Sequence, residues 1–171
     1  MNWFKIAQKR NVVTFDFDGT LTRQIPECDS TPYASASHYW VDTMEPNYKM
    51  MAKLVEEAQD NDIYIVTARR ESYEKPKTSI MGFLHIHGLL PYVKDVIFAG
   101  DHSLSANKGI ILRQLGSIRH YDDDADHIGE ARFSGAEGIK IPEMDWDDYK
   151  DYEQNMQQYK EQYDQLREKD K

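Results

Sequence analysis

Apolar and polar positions along the chain follow two rhythms. "NVVTFD", residues 11–16, is a compact β-branched and aromatic run that predicts a buried strand. Residues 46–62 then place Met51, Leu54, Val55 and Ala58 at helical spacing, which predicts an amphipathic helix. "IYIVT", 63–67, is a second buried strand, and "KPKTSIMGFLHIHGL" is helical in part. "DVIFAG", 95–100, is a third strand. "SANKGIILRQLG" predicts a short helix with Ser105 as its cap and Gly116 as its stop. "SIRHY" is a fourth strand, "DADHIGEARFSG" a further helix, and "GIKI" a fifth strand.

Strands that alternate with helices pair in parallel, so the expected fold is α/β, a three-layer Rossmann-like parallel sheet. Ligands of such sheets bind beyond the carboxyl ends of the strands. That rule directs attention to 16–22, 67–70, 100–103 and 121–126. Residues 23–46 are polar, hold prolines and show no period, which predicts a long loop or small flap; loops of that length are often functional. Beyond Pro142 the pattern changes. Tyr149, Tyr152, Met156, Tyr159, Tyr163 and Leu166 recur at steps of three and four, a heptad-like seam rich in tyrosine. The chain thus divides into 1–143 and a C-terminal helix in 144–171. The seam suits docking on its own domain, or self-association or a partner helix.

Composition narrows the reading. A length of 171 residues suits one domain with a real core. A formal net charge of -9 disfavours a non-specific nucleic-acid coat, because affinity for phosphate backbones comes mainly from Lys and Arg. Cys28 is the only cysteine, which excludes an internal disulfide and a CxxC metal knuckle, and no obvious base accompanies it as a nucleophile. No apolar run approaches the ~20 residues that span a bilayer, and "MNWFKIAQKR" lacks the features of a signal peptide. The expectation is a soluble, cytoplasmic protein with no membrane partner. His85, His87, His120 and His127 lack the spacing of a zinc site.

Candidate chemistry sits in "TFDFDGTLT". Asp16 and Asp18 leave an apolar strand one residue apart, Phe17 between them is expected to be buried, and Gly19 permits a sharp turn. Paired carboxylates need a neutralising cation, and Mg²⁺, which prefers oxygen ligands, would serve. A second acidic run, "HYDDDADHI", follows the fourth strand.

"DFDGTLT" after a hydrophobic strand resembles the first signature of the haloacid dehalogenase (HAD) superfamily. "IYIVTAR" offers Thr67 for the second signature, "ANKGIIL" offers Lys108 for the third, and "IRHYDD" offers Asp122 and Asp123 for the fourth. The resemblance covers about 11–142. It implies a phosphomonoester hydrolase in which Asp16 attacks phosphorus to form an aspartyl-phosphate. Asp18 would act as acid and then base, and its presence points to a phosphatase rather than a dehalogenase. Thr67 and Lys108 would hold phosphoryl oxygens. Mg²⁺ would be held by Asp16, Asp18 through its backbone carbonyl, Asp122 and a second acid, Asp123 or Asp126. Asp124 has no assigned role. In an alternative alignment, "VIFAGDHSLSAN" is the fourth signature, with Asp101 as metal ligand and Lys75, Lys77 or Lys94 as the lysine.

Neither usual insertion point holds a full cap domain, so the site is expected to be open. "TARRES" resembles the 3′-phosphatase domain of polynucleotide kinase-phosphatases, which implies that Arg69 contacts phosphate. Arg70, Lys75 and Lys77 extend the basic cluster, and Tyr33, Tyr39 and Trp40 of the flap could stack a base. Asp124 stands where that family commonly has arginine. A phosphorylated nucleotide or nucleic-acid end is therefore the expected substrate. The alternatives are a soluble (deoxy)nucleotidase and a non-catalytic binding module joined to a partner through the C-terminal heptads.

Overall fold

The computed structural model describes residues 9–23, 44–74, 79–102, 107–142 and 145–169. Five strands form one all-parallel sheet: β1 (Asn11–Phe15), β2 (Asn61–Thr67), β3 (Val93–Phe98), β4 (Ser117–Asp122) and β5 (Glu137–Lys140). Their order is β3-β2-β1-β4-β5. The helices among the described residues are α1 (Tyr48–Asp60), α2 (Ile80–Ile86), α3 (Ala99–His102), α4 (Lys108–Leu115), α5 (Ala125–Ser134) and α6 (Trp146–Glu168). The architecture is α/β and Rossmann-like. None of these helices is long and apolar enough to cross a membrane.

Alternation along the strands sorts the core into two layers. Val13, Phe15, Ile63, Ile65 and Tyr121 join Met51, Leu54 and Val55 of α1 and Phe83 and Leu84 of α2 in the larger cluster. Val66 points the other way and meets Ile111 and Leu112 of α4 and Ala131 of α5. Helices therefore cover both faces. The position of β1 matters most. The chain builds outward from β1 through β2 to β3, then crosses to the other side of β1 for β4 and β5. The reversal opens a crevice between the carboxyl ends of β1 and β4, the place where such sheets bind ligands.

Local chemistry sets the element ends. Asn47 caps α1 by accepting from the Met50 N–H. α4 starts at Lys108 under a cap from Asn107, which accepts from the Ile110 N–H. The predicted cap Ser105 lies outside the described residues. Gly116 ends α4 at φ 66, as expected for the left-handed residue after a helix. Asp124 caps α5, so it has a structural role that the sequence did not disclose. The third strand ends at Phe98 rather than Gly100, because Ala99 and Gly100 already open α3.

Helix α6 carries a capping box of Asp145 and Asp148 and packs along α1. Tyr152 and Tyr163 of its seam are buried, and Met156, Tyr159 and Leu166 pack against the main core. The Tyr content has a reason. The Tyr152 hydroxyl accepts from the Tyr48 N–H at 2.7 Å and donates to the Pro46 carbonyl at 3.3 Å. The Tyr163 hydroxyl donates to the His87 carbonyl at 2.6 Å. A buried ring with a polar tip satisfies helix-end backbone groups that leucine could not. Arg23 lies against the rings of Tyr149 and Tyr152 and pairs with Glu45 and Glu153. An antiparallel bridge joins Thr22 to Pro46. The flap aromatics Tyr33, Tyr39 and Trp40, together with Cys28, Lys75 and Lys77, lie outside the described residues.

Candidate active site

Register brings the acids together. Phe15 pairs with Tyr121, and the Asp16 N–H donates to the Tyr121 carbonyl at 2.8 Å. Asp16 therefore leaves β1 beside Asp122 at the end of β4. Asp16, Asp122 and Asp123 place carboxylate oxygens within 4.8 Å of one another. Asp16 and Asp122 are buried and Asp123 is half-buried. Gly19 makes room for the third acid: its φ is 71, and a Cβ there would collide with the Asp123 carboxylate. Asp126 stands exposed in the first turn of α5, outside this group. The paired acids 122 and 123, rather than a wider spacing, thus face Asp16.

Lys108 opens α4 and reaches into the cluster. Its ammonium donates to Asp16 Oδ1 at 2.6 Å and to Asp122 Oδ2 at 2.7 Å, with its side chain 1% exposed. Burial lowers its pKa, but the two carboxylates outweigh this and raise it above the usual lysine value. The two acids diverge. Burial pushes Asp16 well above the ordinary carboxylate range, and Asp122, Asp123 and Asp18 add to that while Lys108 opposes it. Asp122 also pays for burial, yet the hydrogen bond with His120, the nearby His127 ring and the Lys108 charge hold it far below that range.

Asp122 is held on both oxygens. Oδ1 accepts from the Asp124 N–H at 2.9 Å. Oδ2 takes Lys108 and also His120 Nε2 at 3.0 Å. His127 Nδ1 lies 3.4 Å from Oδ2, longer than a good hydrogen bond. His120 is fully buried, and burial lowers its pKa against the pull of Asp122. These two histidines, set aside as zinc ligands, flank an acid instead.

Asp18 takes another course. Arg69 clasps its carboxylate with two hydrogen bonds, Nε to Oδ2 at 2.7 Å and Nη2 to Oδ1 at 2.6 Å. The same guanidinium reaches Glu74 at 3.2 Å and lies over the Phe17 ring. The Asp18 carboxylate is thus outside the three-acid group, and the Arg69 fork faces Asp18. Thr67 is buried at the end of β2, where its hydroxyl accepts from the Arg69 N–H at 3.2 Å. Thr20 is buried with a hydroxyl that has no hydrogen-bond partner among the described residues.

No protein-family model matches the sequence, and no curated protein matches it. The alternative Asp101 meets a topological obstacle. It lies in α3 after β3, and β2 separates β3 from β1. Its carboxylate accepts from the Glu71 N–H at 2.7 Å and caps that turn.

The donor set fits a hard divalent cation. It consists of carboxylate oxygens, two of them buried, around a cradle kept open by a glycine.

Proposed function

We propose that this chain is a Mg²⁺-dependent phosphomonoester hydrolase of the HAD type, working through an aspartyl-phosphate on Asp16. The observation that carries the reading is the meeting of Asp16, Asp122 and Asp123 within 4.8 Å at the β1/β4 crevice, with the Lys108 ammonium between the first two.

Asp16 Oδ1 is engaged by Lys108. An Asp16 oxygen forms the new bond to phosphorus as the ester P–O bond breaks, and the leaving oxygen takes a proton from Asp18. Water then attacks phosphorus, Asp18 accepts its proton, and the Asp16 O–P bond breaks to release phosphate and restore the carboxylate. Both oxygens of Asp18 accept from Arg69, so Arg69 sets where that carboxyl stands, and one of these bonds opens for Asp18 to carry the proton it gives the leaving oxygen. Lys108 and the Thr67 hydroxyl are donors for the phosphoryl oxygens, whose charge grows in the transition state. Mg²⁺ held by Asp16, Asp122, the Asp18 backbone carbonyl and Asp123 would supply charge neutralisation there.

A phosphorylated nucleotide or nucleic-acid end is the proposed substrate class. A panel of 3′- and 5′-phosphorylated oligonucleotides, free nucleotides and sugar phosphates, with and without Mg²⁺, tests it. Polymer ends should show turnover that falls steeply with salt, and free nucleotides should not. Asp16→Asn should lower turnover at least ~10³-fold, because the nucleophile is gone. Full activity in Asp16→Asn would end this mechanism. A blank panel would leave a non-catalytic binding module.

A further inference from the structure

One polar feature of the core is not used by the steps above. Thr14 interrupts the apolar run of β1, and His120 interrupts β4; both are completely buried. Each stands two residues before a site acid, Asp16 and Asp122, so each shares that acid's face of the sheet. Thr14 Oγ1 lies 2.9 Å from His120 Nδ1, and His120 Nε2 lies 3.0 Å from Asp122 Oδ2. The Ser117 hydroxyl stands 2.9 Å behind Thr14.

Donor inventory fixes the direction of this chain. An ionised carboxylate can only accept, so His120 Nε2 carries the proton. In a neutral imidazole Nδ1 is then the acceptor, and the Thr14 hydroxyl, which also lies 3.2 Å from the Arg119 carbonyl, donates to it over the shorter distance of 2.9 Å. Asp122 Oδ2 has two firm donors, His120 and Lys108. A cation that binds this oxygen takes the place of one of them. Lys108 is the one with another carboxylate to hold, Asp16. The imidazole has no other ring nitrogen to offer, and it is locked by Thr14.

We propose that His120, oriented by Thr14, is a positioning residue for the cation site: it holds Asp122 in its ligating pose when Lys108 gives way. The inference rests on the metal-dependent reading above. Partners behind a ligating group are commonly worth about 10–100-fold in metal affinity.

The test is Mn²⁺ binding by calorimetry and electron paramagnetic resonance, beside turnover as a function of Mg²⁺. His120→Phe keeps the ring volume without the donor, Thr14→Val keeps the shape without the hydroxyl, and His120→Gln can return an N–H near Nε2. The first two should bind Mn²⁺ about 10–100-fold more weakly. Their kcat at saturating Mg²⁺ should stay near wild type, with the defect in the Mg²⁺ concentration required. His120→Gln should restore most of the affinity. Wild-type affinity in His120→Phe, or an equal loss in His120→Gln, would overturn the positioning role. If His120→Phe does not fold, Thr14→Val gives the same readout. A wild-type protein that binds no Mn²⁺ would overturn the cation site itself, whereas binding that is equal in wild type and variants would overturn only this inference.

Discussion

Lys108→Met is the most informative single perturbation of this site. Methionine keeps an unbranched apolar chain of similar length and removes the charge together with its N–H donors. The ammonium sits 2.6 Å from Asp16 and 2.7 Å from Asp122, and all three side chains are buried. At an effective dielectric of 20, each contact is worth about 6 kcal/mol of attraction. Against this stands the desolvation of the lysine itself, several kcal/mol, which the variant recovers. Breaking a buried pair from one side leaves a net loss of about 3–5 kcal/mol, because two carboxylates stay buried without their counter-ion. For a chain of this size each kcal/mol moves the midpoint by about 2–4 °C, so Tm without cation should fall by roughly 6–20 °C. Divalent cation should then stabilise the variant more than the wild type, since no ammonium has to leave Asp122 first. Thermal unfolding with EDTA and with graded Mg²⁺ reads both quantities, and turnover should be lost. A variant as stable as wild type in EDTA would refute the counter-ion role. A Mg²⁺-induced gain no larger than in wild type would refute the competition.

Three further outcomes are expected. Gly19→Ala forces a Cβ onto a φ of 71 and into the Asp123 carboxylate, so it should cost about 1–2 kcal/mol and weaken Mn²⁺ binding; unchanged binding would separate Asp123 from the cation site. Tyr152→Phe leaves the buried Tyr48 N–H without its acceptor and should cost about 1–3 kcal/mol in denaturant unfolding, with m unchanged. Burial, followed by the Arg167 and Lys160 charges, lowers the His87 pKa. The unfolded chain therefore binds the proton more readily, and this contribution to stability is full above about pH 6.5 and fades as pH falls toward the folded value. His87→Gln should flatten the decline of Tm between about pH 7 and 5, and parallel curves would contradict it.

The elements most legible in the sequence were those with a single dominant signal. The apolar runs of β1 and β2 and the stop at Gly116 stand where their residues predict. β3 stops at Phe98 although Ala99 and Gly100 continue an apolar run, and the close backbone carbonyls of Ala68 and Arg69 leave room only for glycine at 100. Within the site, local spacing places Asp16 next to its strand end, but it cannot reveal pairs far apart in sequence. Arg69 and Asp18 are 51 residues apart, and the sequence suggested an arginine aimed at phosphate where the structure shows one clasping an acid. The Thr14–His120 chain did leave a trace. A polar residue inside a fully buried strand, two positions before a candidate ligand, shares its face, and that parity was readable. Asp124 was opaque because a helix cap looks like any other member of an acidic run.

The contacts that hold Arg23 and Pro46 bear on the order in which the protein matures. They come from the Tyr152 hydroxyl on Tyr48 and Pro46, and Glu153 on Arg23, more than a hundred residues downstream of what they hold. Synthesis runs from the N-terminal end, while a domain generally folds as a unit. All five strands are synthesised before α6, so the residues of the acid cluster and Lys108 exist before the side chains that hold Arg23, Pro46 and Tyr48. Helix α6 is then the last part to be fitted, and it brings the side chains that tie Arg23 and Pro46 to the rest of the domain.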